Sequence, residues 1–179
     1  MKNNSTIGAE LTAESLKICV LTVSDSRNES TDTSGHYLQE ALVAEGHQLA
    51  DKQIVKDDIY QIRAVVSAWI ADADVQCILV TGGTGFSGRD STPEAISVLF
   101  DKQVEGFGEL FRAQSYLNIG SSTIQSRALA GLANNTVIFC MPGSTGACKD
   151  AWAIIREQLD SRHKPCNFVG VLSHRKALV

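Results

Sequence analysis

The stretch V-Q-C-I-L-V-T-G-G-T-G-F-S-G-R-D, residues 75–90, decides the fold class of this chain. Its first part, residues 75–81, is mostly apolar, which predicts a short strand that is buried on both faces. The strand passes directly into a glycine-rich loop. A buried strand that ends in such a loop is typical of the parallel sheet of an α/β protein.

Similar strands and helices are predicted on both sides of this stretch. Apolar runs at 17–23 and 136–141 indicate two more buried strands, and a further strand ends near Val55. Helices are predicted from the spacing of apolar residues and from capping residues. We expect them over about 38–45, from 59 to about 70, from Thr92, through much of 106–131 and over about 145–159.

The alternation of buried strands with helices predicts a three-layer α/β/α fold with a mostly parallel central sheet. Residues 17–168 are expected to form a single domain. Residues 1–16 are expected to be a flexible leader, and residues 169–179 a C-terminal tail. The sequence shows no internal repeat and no linker that would indicate a second domain.

Composition argues against several classes of function. The net charge is −4, from 16 basic and 20 acidic residues, so no overall positive charge attracts nucleic acid or a membrane surface. No stretch approaches the ~20 apolar residues of a transmembrane helix, and the N-terminus lacks the apolar core of a signal peptide. The five cysteines are widely spread and odd in number, which favours buried thiols over disulfides. We therefore expect a cytoplasmic protein.

Candidate site residues lie in the loops that follow the predicted strands. Ligands of an open parallel sheet bind beyond the carboxyl ends of the strands, where loops and helix N-termini converge. Small or acidic residues there suit a phosphate or a hard cation, although loops are rich in such residues for structural reasons alone. The candidates are Ser24, Asp25, Asp57, Asp58, Gly82, Gly83, Thr84, Gly85, Asp90, Pro142, Gly143 and Ser144.

The strongest local motif is T-G-G-T-G at residues 81–85. Glycines allow successive backbone N–H groups to turn toward one point, which predicts an anion-binding nest for a phosphate. Residues 83–88 also fit G-x-G-x-x-G. However, they follow the third strand, and the segment that should supply the next strand and its ribose-binding acid reads E-G-F-G-E-L-F, so we exclude a nicotinamide site. Gly88 is followed by Arg89 and Asp90, which excludes a Walker loop.

Asp57 and Asp90 are the acids that we expect to act in chemistry. Both come just after predicted strands, so they can meet beside the glycines and hold a Mg²⁺ ion that bridges phosphate oxygens. The alternative is helix capping, for which Asp58 is the better candidate. Basic side chains that could neutralise a ligand phosphate are Lys56, Arg89, Arg112, Arg127 and Lys149. The four histidines lack zinc-binding spacing, and there is no G-x-S-x-G motif of a serine hydrolase.

Several motifs together resemble one family. They are V-S-D at 23–25, T-G-G-T-G-F-S-G-R-D-S-T-P-E-A at 81–95, E-G-F-G-E-L-F-R at 105–112, S-R-A at 126–128 and M-P-G-S at 141–144. In these motifs the chain resembles the molybdenum cofactor biosynthesis protein B and molybdopterin adenylyltransferase family, from about residue 17 to residue 168. The segments R-H-K-P-C-N-F and F-R-A-Q-S are more similar to the protein B branch.

The resemblance implies a three-layer α/β fold, a homotrimer or homohexamer, and a site that takes molybdopterin and Mg-ATP as ligands. It also suggests contact with other molybdenum cofactor biosynthesis proteins. In the adenylyltransferase branch, the terminal phosphate of the pterin attacks the α-phosphorus of ATP and releases pyrophosphate. By the resemblance, Asp57 and Asp90 match the catalytic acids. The predicted substrate-binding residues are Ser24, Asp25, Gly82, Gly83, Thr84, Gly85, Pro142, Gly143 and Ser144.

One departure from the adenylyltransferase pattern favours a second hypothesis. Members of that branch commonly have a second proline and a basic residue soon after the Pro-Gly pair, whereas this chain reads P-G-S-T-G-A-C and Lys149 comes later. The retained Asp57 and Asp90 favour a Mg-dependent molybdopterin adenylyltransferase. The altered loop favours a carrier protein that binds molybdopterin or its precursor without turnover. A hydrolase of pyrophosphate bonds is supported by the two acids alone.

Overall fold

The computed structural model describes residues 12–176. Within this range the strands are β1 (Lys17–Val23), β2 (Gln48–Val55), β3 (Cys77–Thr81), β4 (Lys102–Gln103), β5 (Leu129–Ala133) and β6 (Thr136–Met141). The helices are α1 (Thr33–Ala44), α2 (Ile59–Ala71), α3 (Thr92–Ile96), α4 (Glu105–Ile119), α5 (Thr145–Gln158) and α6 (Phe168–Lys176). Short 3₁₀ turns follow α3 at Ser97–Leu99 and α4 at Gly120–Gln125.

The strands pair in the order β2-β1-β3-β6-β5-β4. The first four are parallel to one another, whereas β5 pairs antiparallel with both β6 and β4. Thr81 at the end of β3 lies between Thr22 of β1 and Met141 of β6. The carboxyl ends of these three strands therefore meet at one edge of the sheet, and the predicted mostly parallel sheet is confirmed.

Two apolar cores cover the two faces of the sheet, because successive side chains of a strand point to opposite sides. In β3, Leu79 packs in one core and Ile78 in the other. The first core also takes buried side chains from α1, α4, α5 and α6, such as Phe111 and Trp152. The second core takes side chains from α2 and α3, such as Val66. The predicted three-layer α/β/α fold is confirmed.

The prediction of helix through much of residues 106–131 is wrong in its C-terminal part. Helix α4 ends at Ile119, and residues 129–133 form β5 instead. β5 pairs with β6 across a tight turn in which Asn134 has a φ of 51°, a left-handed conformation that asparagine tolerates. The pairing partner, rather than the local sequence pattern, decides the conformation of this segment.

The ends of the predicted domain show two further features. Helix α6 begins at the predicted boundary, and its Val169 and Leu172 are buried in the first core. Leu16, just before β1, is also fully buried. Residues 1–11 of the expected leader lie outside the described residues, and the domain boundaries stay predictions.

The cysteines and the lengths of the helices bear on two predictions made from composition. Cys19, Cys77, Cys140 and Cys148 are buried free thiols, as predicted, whereas Cys166 is exposed. Burial raises the pKa of the Cys19 thiol to about 12, so this thiol stays protonated near neutral pH. Among residues 12–176, no helix combines the length and the apolarity that crossing a bilayer requires.

His47 gives a prediction about stability and pH. Its buried ring accepts a hydrogen bond at Nδ1 from the Leu16 N–H, at 3.2 Å. Burial lowers the pKa of His47 from its usual 6.5, although the charges of Glu45 and Asp160 act to raise it. The native state therefore binds fewer protons than the unfolded state near and below that value. Its stability should fall as the pH drops through 6.5.

To test this, the melting temperature of the unaltered chain is measured at about pH 7.5 and at about pH 5.5. His47→Gln is the matched variant, because its amide oxygen can still accept the Leu16 hydrogen bond but does not titrate. We expect the melting temperature to drop more in the unaltered chain than in His47→Gln. Equal drops in both proteins would contradict the role of His47.

Candidate functional site

The candidate site lies where the chain direction changes in the sheet. The strands β2 and β3 lie on opposite sides of β1 in the sheet, so the connections from β1 to β2 and from β2 to β3 run in opposite directions along the sheet. Ligand-binding crevices of α/β sheets form at such switch points. A cavity of ≈ 360 Å³ opens there. Its lining includes Gly82, Gly83, Thr84, Gly85, Asp90, Pro142 and Gly143, all of which were predicted as site residues.

Two positive backbone angles shape the glycine loop, which we define as residues 82–85. Gly82 has a φ of 104°, and an added Cβ would lie 2.1 Å from the carbonyl oxygen of Val23. Gly83 has a φ of 64°, and its Cβ would lie 2.4 Å from Oγ1 of Thr92. Any larger residue would clash in both places, so only glycine lets the loop cross the end of β1.

The backbone of the glycine loop offers free hydrogen-bond donors. Thr92 binds two carbonyl groups of the glycine loop. Its Oγ1 donates to Gly82 O at 2.8 Å, and its N–H donates to Gly83 O at 3.0 Å. Among residues 12–176, no protein acceptor receives the backbone N–H of Gly83, Thr84 or Gly85. Three consecutive free N–H groups beside a cavity can bind an anion such as a phosphate.

The loop after β6 packs directly against the glycine loop. Thr81 Oγ1 donates to Pro142 O at 3.1 Å, and Gly82 N–H donates to Met141 O at 3.0 Å. Cys148 Sγ lies 3.2 Å from Thr81 Oγ1 behind this contact. Burial raises the pKa of Cys148 to about 11, so the thiol stays protonated and cannot serve as a thiolate nucleophile.

Asp57 touches the glycine loop and does not cap a helix. Its Oδ1 accepts hydrogen bonds from Ser91 N–H at 2.9 Å and Ser91 Oγ at 2.6 Å. Its Oδ2 lies so close to Gly83 that an added Cβ would be 2.7 Å away. The neighbouring Asp58 caps α2 by accepting from two backbone N–H groups. The capping alternative therefore applies to Asp58.

Asp90 approaches the other end of the glycine loop. Its Oδ2 accepts from Ser87 N–H at 2.7 Å, and an added Cβ at Gly85 would lie 2.8 Å from the same oxygen. In the described part of the chain, neither Asp57 Oδ2 nor Asp90 Oδ1 receives a hydrogen bond. One oxygen of each carboxylate is thus without a donor, but Asp90 lines this cavity, whereas Asp57 lines a second cavity of ≈ 380 Å³ together with Arg89 and Ser91.

The site offers few side chains that could bind a metal ion. Within the described residues, no group of three or more His, Cys, Asp or Glu side chains could hold a metal ion. A hard cation beside Asp57 and Asp90 would therefore need its other ligands from a bound substrate and from water. This is the usual environment of Mg²⁺ in phosphate-binding sites.

The remaining predicted site residues lie beside the cavity. Ser24 builds the turn after β1, where its Oγ accepts from the N–H groups of residues 26 and 27. Asp25 forms a two-point ion pair with Arg89, at 2.8 and 2.9 Å, and accepts from Asp57 N–H at 3.3 Å. Ser144 caps α5 by accepting from Ala147 N–H at 3.1 Å. These side chains support the loops rather than line the cavity.

The predicted basic groups divide into two sets. Arg89 pairs with Asp25, and Arg127 donates to backbone carbonyls of the loop between β3 and α3. Lys149 lies over the ring of Tyr37 instead, 5.8 Å from its centroid. Arg112 donates to Ala128 O and lines a different cavity, and Lys56 is an exposed side chain. Only Arg89 and Arg127 of this set contact the predicted site.

The sequence reasoning missed one wall of the cavity. This wall is formed by Ile119, Ser122, Gln125 and Ser126, at the end of α4 and in the following 3₁₀ turn. The Oγ of Ser126 is buried, and it has no hydrogen-bond partner within residues 12–176. A buried hydroxyl of this kind normally finds a partner, so a polar ligand group is expected there. The available signal was the S-R-A motif, which was noted only for its resemblance.

Known proteins with similar sequences and structures share this fold. A family model described as "Probable molybdopterin binding domain" matches residues 19–161. Over 153 residues, the chain is 59% identical to molybdenum cofactor biosynthesis protein B of Escherichia coli (strain K12). The alignment covers 85% of this chain and 90% of that protein.

Solved structures agree with the family model. A crystal structure of molybdenum cofactor biosynthesis protein B has a TM-score of 0.84 at 40% identity, over 93% of this chain and 99% of that one. The tungsten cofactor synthesizing protein MoaB from Pyrococcus furiosus has a TM-score of 0.77 at 33% identity, over 91% and 98%. The glycine loop and the flanking acids lie within the matched range. The chain therefore belongs to the family of probable molybdopterin-binding domains.

Proposed function

We propose that this chain acts in molybdenum cofactor biosynthesis, where it binds molybdopterin and transfers the adenylyl group of Mg-ATP to it. The observation that carries the proposal is the row of free N–H groups at Gly83, Thr84 and Gly85, with Asp57 at one end and Asp90 at the other. Free N–H groups suit a phosphate, and the carboxylates suit a metal-bound nucleotide. The name of the Escherichia coli relative supports the same pathway.

In the proposed reaction, the terminal phosphate of the pterin lies on the glycine loop. Its oxygen forms a bond to the α-phosphorus of ATP, while the bond from that phosphorus to the bridging oxygen of pyrophosphate breaks. The products are adenylylated molybdopterin and pyrophosphate. Such a transfer needs positioning and charge neutralisation more than a covalent nucleophile, which suits a site without a thiolate.

Asp57 and Asp90 are the residues that would hold Mg²⁺, through the oxygens that accept no hydrogen bond. Bound Mg²⁺ supplies neutralisation of negative charge on the phosphate oxygens. Ser126 Oγ would bind a polar group of the pterin from the opposite wall. Ser24 and Asp25 would hold the loop after β1 in place beside Asp57.

We also propose a homotrimer or homohexamer in the cytoplasm, in contact with other molybdenum cofactor biosynthesis proteins. Large apolar side chains of α4 and its 3₁₀ turn support an assembly. Leu110, Leu117 and Ile124 are 54%, 76% and 74% exposed. Large exposed apolar side chains concentrated in one segment are typical of surfaces that bind another protein.

The second candidate is a molybdopterin carrier without turnover. It is favoured by the segment after β6, where Ser144 caps α5 and Lys149, within α5, lies over the ring of Tyr37. Neither side chain lines the cavity, so this segment offers a ligand little beyond Pro142 and Gly143. A carrier would bind the pterin with the same glycine loop but would leave ATP unchanged.

The first test separates catalysis from binding. Purified protein is incubated with molybdopterin, ATP and Mg²⁺, and release of pyrophosphate is measured. We expect turnover in the unaltered chain and a loss of at least about 100-fold in Asp90→Asn, because the amide cannot replace a metal-binding carboxylate. Pterin binding should stay within a few-fold, since the amide oxygen can still accept from Ser87.

Asp58→Asn is the control for this test, because asparagine caps helices as well as aspartate does. Its turnover should match that of the unaltered chain. An equal loss of pterin binding and turnover in Asp90→Asn would contradict a catalytic role for this acid. Pterin binding without any pyrophosphate release in the unaltered chain would support the carrier.

The second test concerns the glycine loop itself. Gly82→Ala places a Cβ against the Val23 carbonyl in a left-handed conformation, which should cost about 1–3 kcal/mol of stability. Displacement of the loop should also weaken molybdopterin binding. The control is Gly88→Ala, because no atom lies within 4 Å of the added Cβ there. Unchanged pterin affinity in a folded Gly82→Ala protein would show that the loop does not bind the ligand.

A further inference from the structure

Arg127 lies outside the predicted binding loops, yet its side chain reaches the loop between β3 and α3. Its Nε donates to Gly85 O at 2.9 Å, and its Nη2 donates to Asp90 O at 2.9 Å. Its backbone N–H donates to Thr84 O at 3.1 Å. The side chain is only 22% exposed. One residue thus fixes three carbonyl groups along residues 84–90.

Two side chains complete the surroundings of the guanidinium. Nη1 forms an ion pair with the Glu94 carboxylate at the start of α3, and the ring of Phe86 lies over the guanidinium at 5.0 Å. Burial acts to raise the pKa of Glu94, but hydrogen bonds from Arg127 and the backbone, together with the charge of Arg127, lower it overall. The guanidinium therefore contacts two carbonyl groups, a carboxylate and an aromatic ring at once.

The direction of the fixed carbonyls decides where the N–H groups point. In a planar trans peptide, the C=O of one residue points opposite to the N–H of the next. Binding of Thr84 O and Gly85 O by Arg127 therefore turns the N–H groups of Gly85 and Phe86 away from it. In the same way, binding of Asp90 O turns the Ser91 N–H away, and this N–H donates to Asp57 Oδ1 at 2.9 Å.

We propose that Arg127 is the positioning residue of this site. Its contacts with the carbonyls of Thr84, Gly85 and Asp90, here termed the Arg127 clamp, hold the N–H groups of Gly85, Phe86 and Ser91 in their working orientation, and the last of these makes the Asp57 contact. Its effect on ligand binding rests on the proposed function, whereas its effect on the loop does not. The contacts with Gly85 O and Asp90 O require arginine, because a planar fork with several donors can reach separate acceptors and a lysine ammonium cannot.

Arg63 provides a matched control on the other side of α3. Its Nε donates to Ala95 O at 3.1 Å, and its Nη2 donates to Glu94 O at 2.9 Å. Like Arg127, it is an arginine that binds backbone carbonyls of this region. Unlike Arg127, it makes no hydrogen bond to residues 84–90.

The first arm of the test measures hydrogen exchange in the peptide that covers residues 82–91. Arg127→Ala and Arg127→Lys should exchange at least about tenfold faster there than the unaltered chain, because the loop loses the side-chain contacts with the carbonyls of Gly85 and Asp90 and keeps only the backbone contact with Thr84 O. Arg63→Ala should leave exchange in this peptide unchanged. Unchanged exchange in both Arg127 variants, or an equal increase in Arg63→Ala, would overturn the proposal. The lysine variant keeps the positive charge and the aliphatic chain, so it can replace the alanine variant in this test if the alanine variant does not fold.

The second arm measures ligand binding and rescue. The dissociation constant for molybdopterin should rise at least about tenfold in Arg127→Ala and stay within about twofold in Arg63→Ala. Added guanidinium ion should restore affinity in Arg127→Ala but not in Arg127→Lys, where the lysine occupies the space. Unaltered affinity in Arg127→Ala would overturn the positioning role. If the unaltered chain binds no molybdopterin, the proposed function fails, and the exchange measurement still decides whether the clamp exists.

Discussion

The close approach of Gly82 to the end of β1 is the contact on which the site depends. Its Cα lies against the Val23 carbonyl, and Gly143 packs against it from the β6 side, where an added Cβ would be 3.2 Å from Gly82 Cα. The backbones of three neighbouring strand ends therefore meet without side chains between them. This contact leaves the N–H groups of Gly83 to Gly85 beside an open cavity.

Some of the surrounding side chains hold the loops in place, and others keep atoms that a ligand could bind. Asp58 and Ser144 cap helices, and Asp25 pairs with Arg89. Within residues 12–176, one oxygen of Asp57 and one of Asp90 accept no hydrogen bond. A site made of backbone N–H groups and two partly free carboxylates is suited to phosphate chemistry, because it supplies hydrogen bonds to the anion and ligands to a hard cation.

Much of the fold could be predicted because each element carries its own local pattern. β1 and β6 were predicted with the bounds that the structure gives, and the helix after Asp58 follows its apolar spacing and its cap. β5 could not be predicted in the same way, because its conformation depends on pairing with β6. The buried packing of α6 was missed for a similar reason, since Val169 and Leu172 are buried by contacts with distant residues.

The sequence by itself determined the fold class, the position of the glycine loop and the set of acids near it. Glycine spacing and strand patterns are local properties, so a single chain segment is enough to reveal them. Only the tertiary structure decided that Asp57 touches the loop while Asp58 caps α2. It also decided that Arg127 binds the loop, and that Ser126 lines the same cavity, from a segment about forty residues away. Such contacts depend on how the helices and strands pack, because distances between separate segments are not encoded in any local pattern.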